Sequence, residues 1–341
     1  MRRMMAVAAA ALIPAAAQAQ MKAHFINVGQ GQSVLLEFQT AAVLVDAGGE
    51  ADAEDRDHVI AYLDSFFVGR PDLDRTLYSV IVTHPHIDHT RYLMDVMRGY
   101  RVRNLVDGGR MEPSQGAAPV IEARRYGDEH GVLYNIVPDS RIASRGYQTY
   151  RMRVLREGPS DVDIRFVNGA AGCRNENNNS VAALVRYREA SFLIPGDAEN
   201  ESDGACEPAI RRMVRRFTGG LLDVDVYAAG HHASRNGTTT NYLTMMSPQI
   251  TVISAGHHTT QHPPVFNPFD FGHPREAAVA MMESATTGTR PAVTVYTMDA
   301  VRQVRADRVM EKAVYCTCWD GDVVVEVDGT GTQLAVRTTR P

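Results

Sequence analysis

Six consecutive residues, His84-Pro85-His86-Ile87-Asp88-His89, constrain this chain more than any other stretch. Three imidazoles and a carboxylate crowd into one turn-sized segment, which holds three of the chain's 12 histidines. An apolar run over residues 78–82 leads in and reads as a strand. Residues 91–97 lead out and read as a helix. Imidazole nitrogen and carboxylate oxygen suit zinc and similar divalent ions. The H-x-H-x-D-H spacing can divide its donors between two ions, with His84 and His86 facing one and Asp88 and His89 the other. The competing reading is a polar loop that happens to be rich in histidine, and the concentration of histidine here argues against it.

The start of the chain reads as a targeting segment. Met1-Arg2-Arg3 is basic, residues 4–17 are almost wholly apolar and Ala-rich, and Ala17-Gln18-Ala19 has the small-x-small cleavage pattern. The apolar run is too short for a comfortable membrane span. The expectation is therefore an export signal over residues 1–19, a mature chain in the periplasm or secreted, and no stable membrane span. About 320 residues remain, enough for one large domain or two small ones. The net charge of −5 becomes more negative by two once Arg2 and Arg3 leave with the signal. Non-specific nucleic-acid binders usually carry a basic patch. The densest basic run, Arg211-Arg212-Met213-Val214-Arg215-Arg216, falls in a helical pattern and reads as a solvated face. An even count of 4 Cys fits an exported chain. Cys173 and Cys206 flank a strand pair and can bridge; Cys316 and Cys318 read as two thiols or a strained pair. No CxxC pair supplies a thiolate zinc site.

Strand-like runs cover residues 22–28, 33–38, 42–46, 77–82 and 102–106, with helical patterns over 55–68 and 120–130. Further strands are expected over 150–155, 162–167, 181–187, 192–194, 224–228, 250–254 and 292–298. Helical patterns cover 207–217, 241–246 and 274–284, and residues 323–338 read as a closing hairpin. Two strand-rich halves with interspersed helices imply sheets packed on each other with helices outside. Polar candidate ligands recur where apolar strands end.

Taken in order, these segments resemble a known family. His24-Phe25-Ile26-Asn27-Val28-Gly29-Gln30-Gly31-Gln32-Ser33, Leu44-Val45-Asp46-Ala47-Gly48 and residues 83–89 are similar to successive motifs of the metallo-β-lactamase fold hydrolases. Within these, the chain looks most like the hydrolase domain of ComEC-type competence proteins. The resemblance continues through Asn177-Asn178-Asn179-Ser180, Ile194-Pro195-Gly196-Asp197, Gly230-His231-His232-Ala233-Ser234 and Gly272-His273-Pro274. Asn27, Gln32 and Ala233 depart from the family pattern, which has two acidic residues and a Gly at those positions.

The resemblance implies an α/β fold, a four-layer αββα sandwich over residues 20–341. It implies a hydrolase that activates water on two ions, zinc with manganese as the alternative. Phosphodiester cleavage, in DNA or a small substrate, is favoured over lactam or lactone opening, and a non-catalytic metal-binding protein is the remaining alternative. The implied ligand sets are His84, His86 and Asp197 for one ion, and Asp88, His89, His231 and the shared Asp197 for the other. Asp88, His232 and His273 are the catalytic candidates, the last two as proton donors to the leaving group. Asn177, Ser180 and Ser234 are candidate substrate contacts, and Asp46 is expected to orient a ligand histidine. The region of a third histidine ligand in the wider fold is Asn-rich here, which leaves the first site short of one nitrogen. No protein partner is expected.

Overall fold

The computed structural model describes residues 21–50, 53–109, 114, 116–149, 162–257, 272–299, 301–302 and 304–340. The expected signal over 1–19, the expected strand over 150–155, and His258 and His262 lie outside the described residues.

The chain opens with β1 (Met21–Phe25), β2 (Val34–Phe38), β3 (Ala42–Val45), helix α1 (Ala53–Gly69) and the short β4 (Thr76–Leu77). Next come β5 (Ser79–Ile81), α2 (Ile87–Thr90), α3 (Leu93–Gly99), the short β6 (Arg101–Val102), β7 (Asn104–Asp107), α4 (Ala117–Glu129) and β8 (Leu133–Ile136). The second half runs through β9 (Val162–Asn168), β10 (Ala182–Tyr187), β11 (Ala190–Ile194), β12 (Val226–Ala228) and β13 (Ile250–Ile253). It ends with β14 (Thr289–Asp299), β15 (Val304–Lys312), β16 (Val314–Cys316), β17 (Val323–Val327) and β18 (Leu334–Thr338). One sheet has the order β18-β17-β1-β2-β3-β5-β7-β8, the other β16-β13-β12-β11-β10-β9. Each is mixed: β3, β5, β7 and β8 are parallel neighbours, as are β11, β12, β13 and β16.

Alternation along the strands sets the layers. Val34, Leu36, Val43 and Val45 join the core shared with the second sheet, whereas Leu35 and Leu44 pack with Val59 and Leu63 of α1, Val96 of α3 and Val120 of α4. On the second sheet, Tyr227 beside Leu193 meets Tyr242 edge-on at 6.1 Å, so that row faces the helix Thr240–Met246. The opposite row, with Val185, Phe192 and Val226, faces the first sheet. Ile210, Met213, Val279 and Met282 from the helices Ala209–Arg216 and Glu276–Ala285 complete the outer layer. The architecture is the αββα sandwich, and the parallel strands of both sheets end on one side, where the polar motifs gather.

Three findings differ from the sequence reading. β8, β15 and β16 were not anticipated: β8 is an edge strand without alternation, and β16 has three residues. The basic run on Ala209–Arg216 is not wholly a solvated face. Arg212 is buried, and its Nη2 donates to Asn168 Oδ1 at 2.9 Å and to the Asn178 carbonyl at 2.6 Å. The cysteines pair as Cys173–Cys206 and Cys316–Cys318, which settles the alternatives the spacing left open.

Glu37 on β2 ties the first hairpin to the end of α1. It lies 2.9 Å from Lys22 Nζ, 3.3 Å from His24 Nε2 and 2.9 Å from Arg70 Nη1. Burial pushes its carboxyl up, but hydrogen bonds from His24, Lys22 and Arg70 prevail and bring it down to about 2. A carboxyl whose folded pKa is depressed stabilises the fold above its unfolded pKa, and that stability is lost as pH falls through the folded value. Glu37→Gln is therefore predicted to cost about 1–3 kcal/mol at pH 7, with the gap to the parent closing as pH falls from about 4.5 to about 2. Urea unfolding across that range measures it, and a gap that stays constant with pH contradicts the assignment.

Candidate metal centre

The site is built from the ends of β3, β5, β11 and β12. After β5, Val82 still bonds Val106 across the sheet, and Thr83 then turns out of it. Asp46, just past β3, takes a left-handed backbone with φ 59°. Its Oδ1 accepts the Thr83 N–H at 2.7 Å, and its Oδ2 accepts the Thr83 hydroxyl at 2.8 Å and Gln32 Nε2 at 2.9 Å. The same Oδ2 lies 2.7 Å from His89 Nδ1. A carboxylate acceptor there fixes the proton on Nδ1 and turns the Nε2 lone pair into the cluster. The loops close this tightly because Gly48 has no side chain: a Cβ there would lie 1.7 Å from the Asp88 carbonyl oxygen.

Two groups of side chains converge, His84 with His86 and Asp197, and Asp88 with His89, Asp197 and His232. In each, the donor atoms lie within 4.8 Å of one another, and Asp197 belongs to both. His89 Nε2 is 3.2 Å from Asp197 Oδ1 and 3.3 Å from His232 Nε2. His232 Nε2 is 3.1 Å from Asp88 Oδ2 and 3.4 Å from Asp197 Oδ2. His84 Nε2 is fully buried, has no hydrogen-bond partner among the described residues, and faces Asp197 Oδ2 at 3.7 Å. A buried imidazole nitrogen left unpaired beside a carboxylate oxygen is costly unless a cation joins them. The donor set therefore fits divalent ions.

The two adjacent histidines take the reverse of their expected places. His231, His232 and Ala233 have φ of 48°, 52° and 58°, a left-handed run that non-glycine residues adopt at a cost of about 1–3 kcal/mol each. The run turns neighbouring imidazoles in different directions. His232 Nδ1 bonds the Ser254 carbonyl at 2.7 Å, which directs Nε2 into the cluster. His231 stays at the edge: its Nδ1 lies 3.0 Å from Asn236 Oδ1 and 3.2 Å from Glu199 Oε1, and its Nε2 is 4.0 Å from Asp197. The sequence reading expected His231 as the ligand and His232 as the proton donor; here His232 Nε2 faces the cluster and His231 lies at its edge.

Burial, then the charges of neighbouring imidazoles, holds His84 well below its ordinary range. His232 behaves oppositely: burial lowers it, but Asp197 and Asp88 prevail and raise it to about 10. His89 is likewise raised well above its ordinary value, against burial, by Asp197, Asp46 and Asp88. The carboxylates thus call for positive charge, and cation binding has to displace protons from these two rings.

The remaining candidates separate. His273 is buried in the same cavity, its ring 5.8 Å from that of His232 and its Nδ1 3.3 Å from Gln30 Nε2. Burial and the nearby His232 and His231 hold it well below its ordinary range. Asn177 lines the cavity; its Nδ2 donates to Glu199 while its Oδ1 is buried without a hydrogen-bond partner among the described residues. Ser180 is buried away from the cavity lining, with its carbonyl accepting from Asn168. Ser234 shapes the turn after the histidines, donating to Asn236 Oδ1 at 2.5 Å and accepting the Gly237 N–H. The expectation of substrate contacts at Ser180 and Ser234 does not match these positions. The cavity is about 270 Å³, and Gln30, Glu50 and Arg91 in its wall were not among the expected site residues.

A sequence profile described as the metallo-beta-lactamase superfamily matches residues 26–257. The chain is similar to ComE operon protein 3 of Bacillus subtilis, 24% identical over 253 residues, which cover 70% of this chain and 29% of that protein. It is also similar to Recombination protein 2 of Haemophilus influenzae, 22% identical over 251 residues, covering 73% of this chain and 25% of that protein. The chain thus spans less than a third of the length of either relative. Among solved structures, the metallo-beta-lactamase fold protein YhfI from Bacillus subtilis overlays with a TM-score of 0.43 and 12% identity, covering 80% of this chain and 95% of that one.

The ligand geometry predicts metal contents, read by plasma mass spectrometry after gel filtration. The parent should carry two divalent ions per chain, His232→Ala about one, and Asp197→Ala close to none, because its carboxylate serves both groups. His231→Ala should keep two. Equal loss from His231→Ala and His232→Ala contradicts the geometry. Affinity should also weaken as pH falls, since protons compete for the ligand rings.

Proposed function

This chain belongs to the metallo-beta-lactamase superfamily, and on that footing we propose that it is an exported phosphodiester hydrolase, a nuclease or small phosphodiesterase, working with two zinc ions. It is a hydrolase of this superfamily with a His/Asp cluster able to bind metal ions. The observation that carries the reading is Asp197, shared between two donor groups on the floor of one cavity. Two cations held by one carboxylate suit the in-line displacement at phosphorus. The ordered resemblance of residues 21–274 to the ComEC-type hydrolase domain supports phosphodiesters over lactams. Export is supported by the signal-like residues 1–19 and by two disulfides, which persist in oxidising compartments.

His84, His86 and Asp197 would hold one ion, and Asp88, His89, His232 and Asp197 the other. Bound there, divalent ions supply Lewis acidity and lower the pKa of water to about 7. The protein's own part is positional. Asp46 sets the tautomer of His89, and the Ser254 carbonyl sets that of His232. Asp88 projects a carboxylate beside the cluster that can accept a hydrogen bond from the attacking water and orient it. His273, buried against His231 and His232 and held neutral, stands where its ring can hydrogen-bond to the leaving oxygen.

The test is a substrate panel on metal-loaded protein: bis(p-nitrophenyl) phosphate, single-stranded DNA, nitrocefin and an acyl lactone. Turnover of a phosphodiester, abolished by chelator and restored by Zn²⁺ or Mn²⁺, is expected. Asp88→Ala should lower kcat at least about 100-fold while the fold stays intact by circular dichroism. Opening of nitrocefin or the lactone with every phosphodiester untouched would replace this reading.

A further inference from the structure

Arg91 sits in the wall of the catalytic cavity and makes no ion pair among the described residues. Its backbone continues the turn of α2, with φ −53°, ψ −43° and its N–H bonded to the Ile87 carbonyl at 2.8 Å. It follows Asp88 by three residues, so the two side chains share a helix face. The side chain is half-buried, and Nε donates to the Gly49 carbonyl at 3.0 Å. That bond pins the guanidinium to the loop after β3. Among the described residues Arg91 makes no ion pair and no further side-chain hydrogen bond, and it is the one Arg or Lys of the cavity lining. Other part-buried arginines of the fold are matched to carboxylates, as Arg70 is to Glu37 and Asp72, Arg124 to Asp107 and Arg290 to Asp320. The guanidinium keeps two amino groups in a planar fork suited to an oxyanion.

We propose that Arg91 is a subsite for a second phosphate of the substrate, next to the scissile phosphodiester. The inference rests on the phosphodiesterase reading and adds what that reading leaves open: the substrate carries two phosphates close together, as in a 5′-phosphorylated dinucleotide or a short strand. The position supports this. The metal-ligand carboxylate Asp88 and the anchored Arg91 lie one helical turn apart, and Gly49 and Glu50 form the adjacent wall. A net charge of −5 disfavours long polyanions, so one local cation recognises a short substrate better than a long duplex.

The test compares dithymidine monophosphate with its 5′-phosphorylated form on the metal-loaded full chain. The parent should prefer the 5′-phosphorylated substrate in kcat/KM by at least about tenfold. Arg91→Met should collapse that preference to about twofold or less, and Arg91→Lys should keep part of it, as a point charge lacking the fork. Melting temperatures of the variants confirm that they fold. A parallel arm measures binding, by calorimetry, of the same pair of ligands with a methylphosphonate linkage that cannot be cleaved. The 5′-phosphate should tighten binding to the parent at least about tenfold and to Arg91→Met hardly at all. Equal gains in parent and variant, or no gain in the parent, overturn the subsite. If the parent cleaves neither dinucleotide, the phosphodiesterase reading fails, and the binding arm still decides whether Arg91 holds a phosphate.

Discussion

Four hydrogen bonds converge on the two oxygens of Asp46, at zero exposure where β3 leaves the first sheet. Its donors come from three separate segments: Gln32 of the loop before β2, Thr83 after β5, and His89 of the metal motif. A charged acceptor so deep is tolerable only because every donor is present. Remove the carboxylate and the turn after β5, the loop before β2 and the tautomer of His89 lose their common anchor together. The histidine cluster is held in place from behind by this one buried anion.

The same economy recurs across the cavity. Ser254, after β13, orients His232, and Glu199, two residues beyond Asp197, holds Asn175, Asn177 and His231 through its two oxygens. Thr317 bonds both the N–H and the carbonyl of Ala255, beside Ser254, and so links the Cys316–Cys318 turn to the strand end that sets His232. The His89 and His232 rings thus each have a partner whose own position is fixed by a strand end. The left-handed run through His231, His232 and Ala233 is backbone strain concentrated at the chemistry, which the surrounding sheets are rigid enough to maintain.

Much of this was legible in the sequence for a definite reason. The αββα layers follow from period-two runs whose alternate residues are all apolar, such as Val34 to Phe38, together with helical patterns of the right length. His84, His86, Asp88, His89 and Asp197 were legible because a short motif and a strand-end Asp leave few ways to arrange them. The orientation of His231 against His232 was not: adjacent residues in a strand would simply alternate, and only the backbone angles show that the chain is left-handed there. Ser180 and Ser234 stand off the cavity lining, since small polar residues next to a motif serve a turn as readily as a ligand. Arg91 and Glu50 escaped notice because a single charged residue beside a motif carries no pattern; only its place in the cavity wall, visible in three dimensions, sets Arg91 apart. Arg212 reads as surface by composition and is buried because Asn168 and the Asn178 carbonyl accept from its Nη2, with the Asp139 carboxylate 3.4 Å from its Nε.

The central claim is that Asp197 joins two cation sites, one completed by His84 and His86 and the other by Asp88, His89 and His232. Anomalous diffraction from zinc-soaked crystals, recorded on both sides of the zinc absorption edge, tests it most directly. The account predicts two peaks flanking the Asp197 carboxylate, the second within bonding distance of His232 Nε2. A single peak, a second peak bonded to His231 in place of His232, or no peak in the cluster would contradict it.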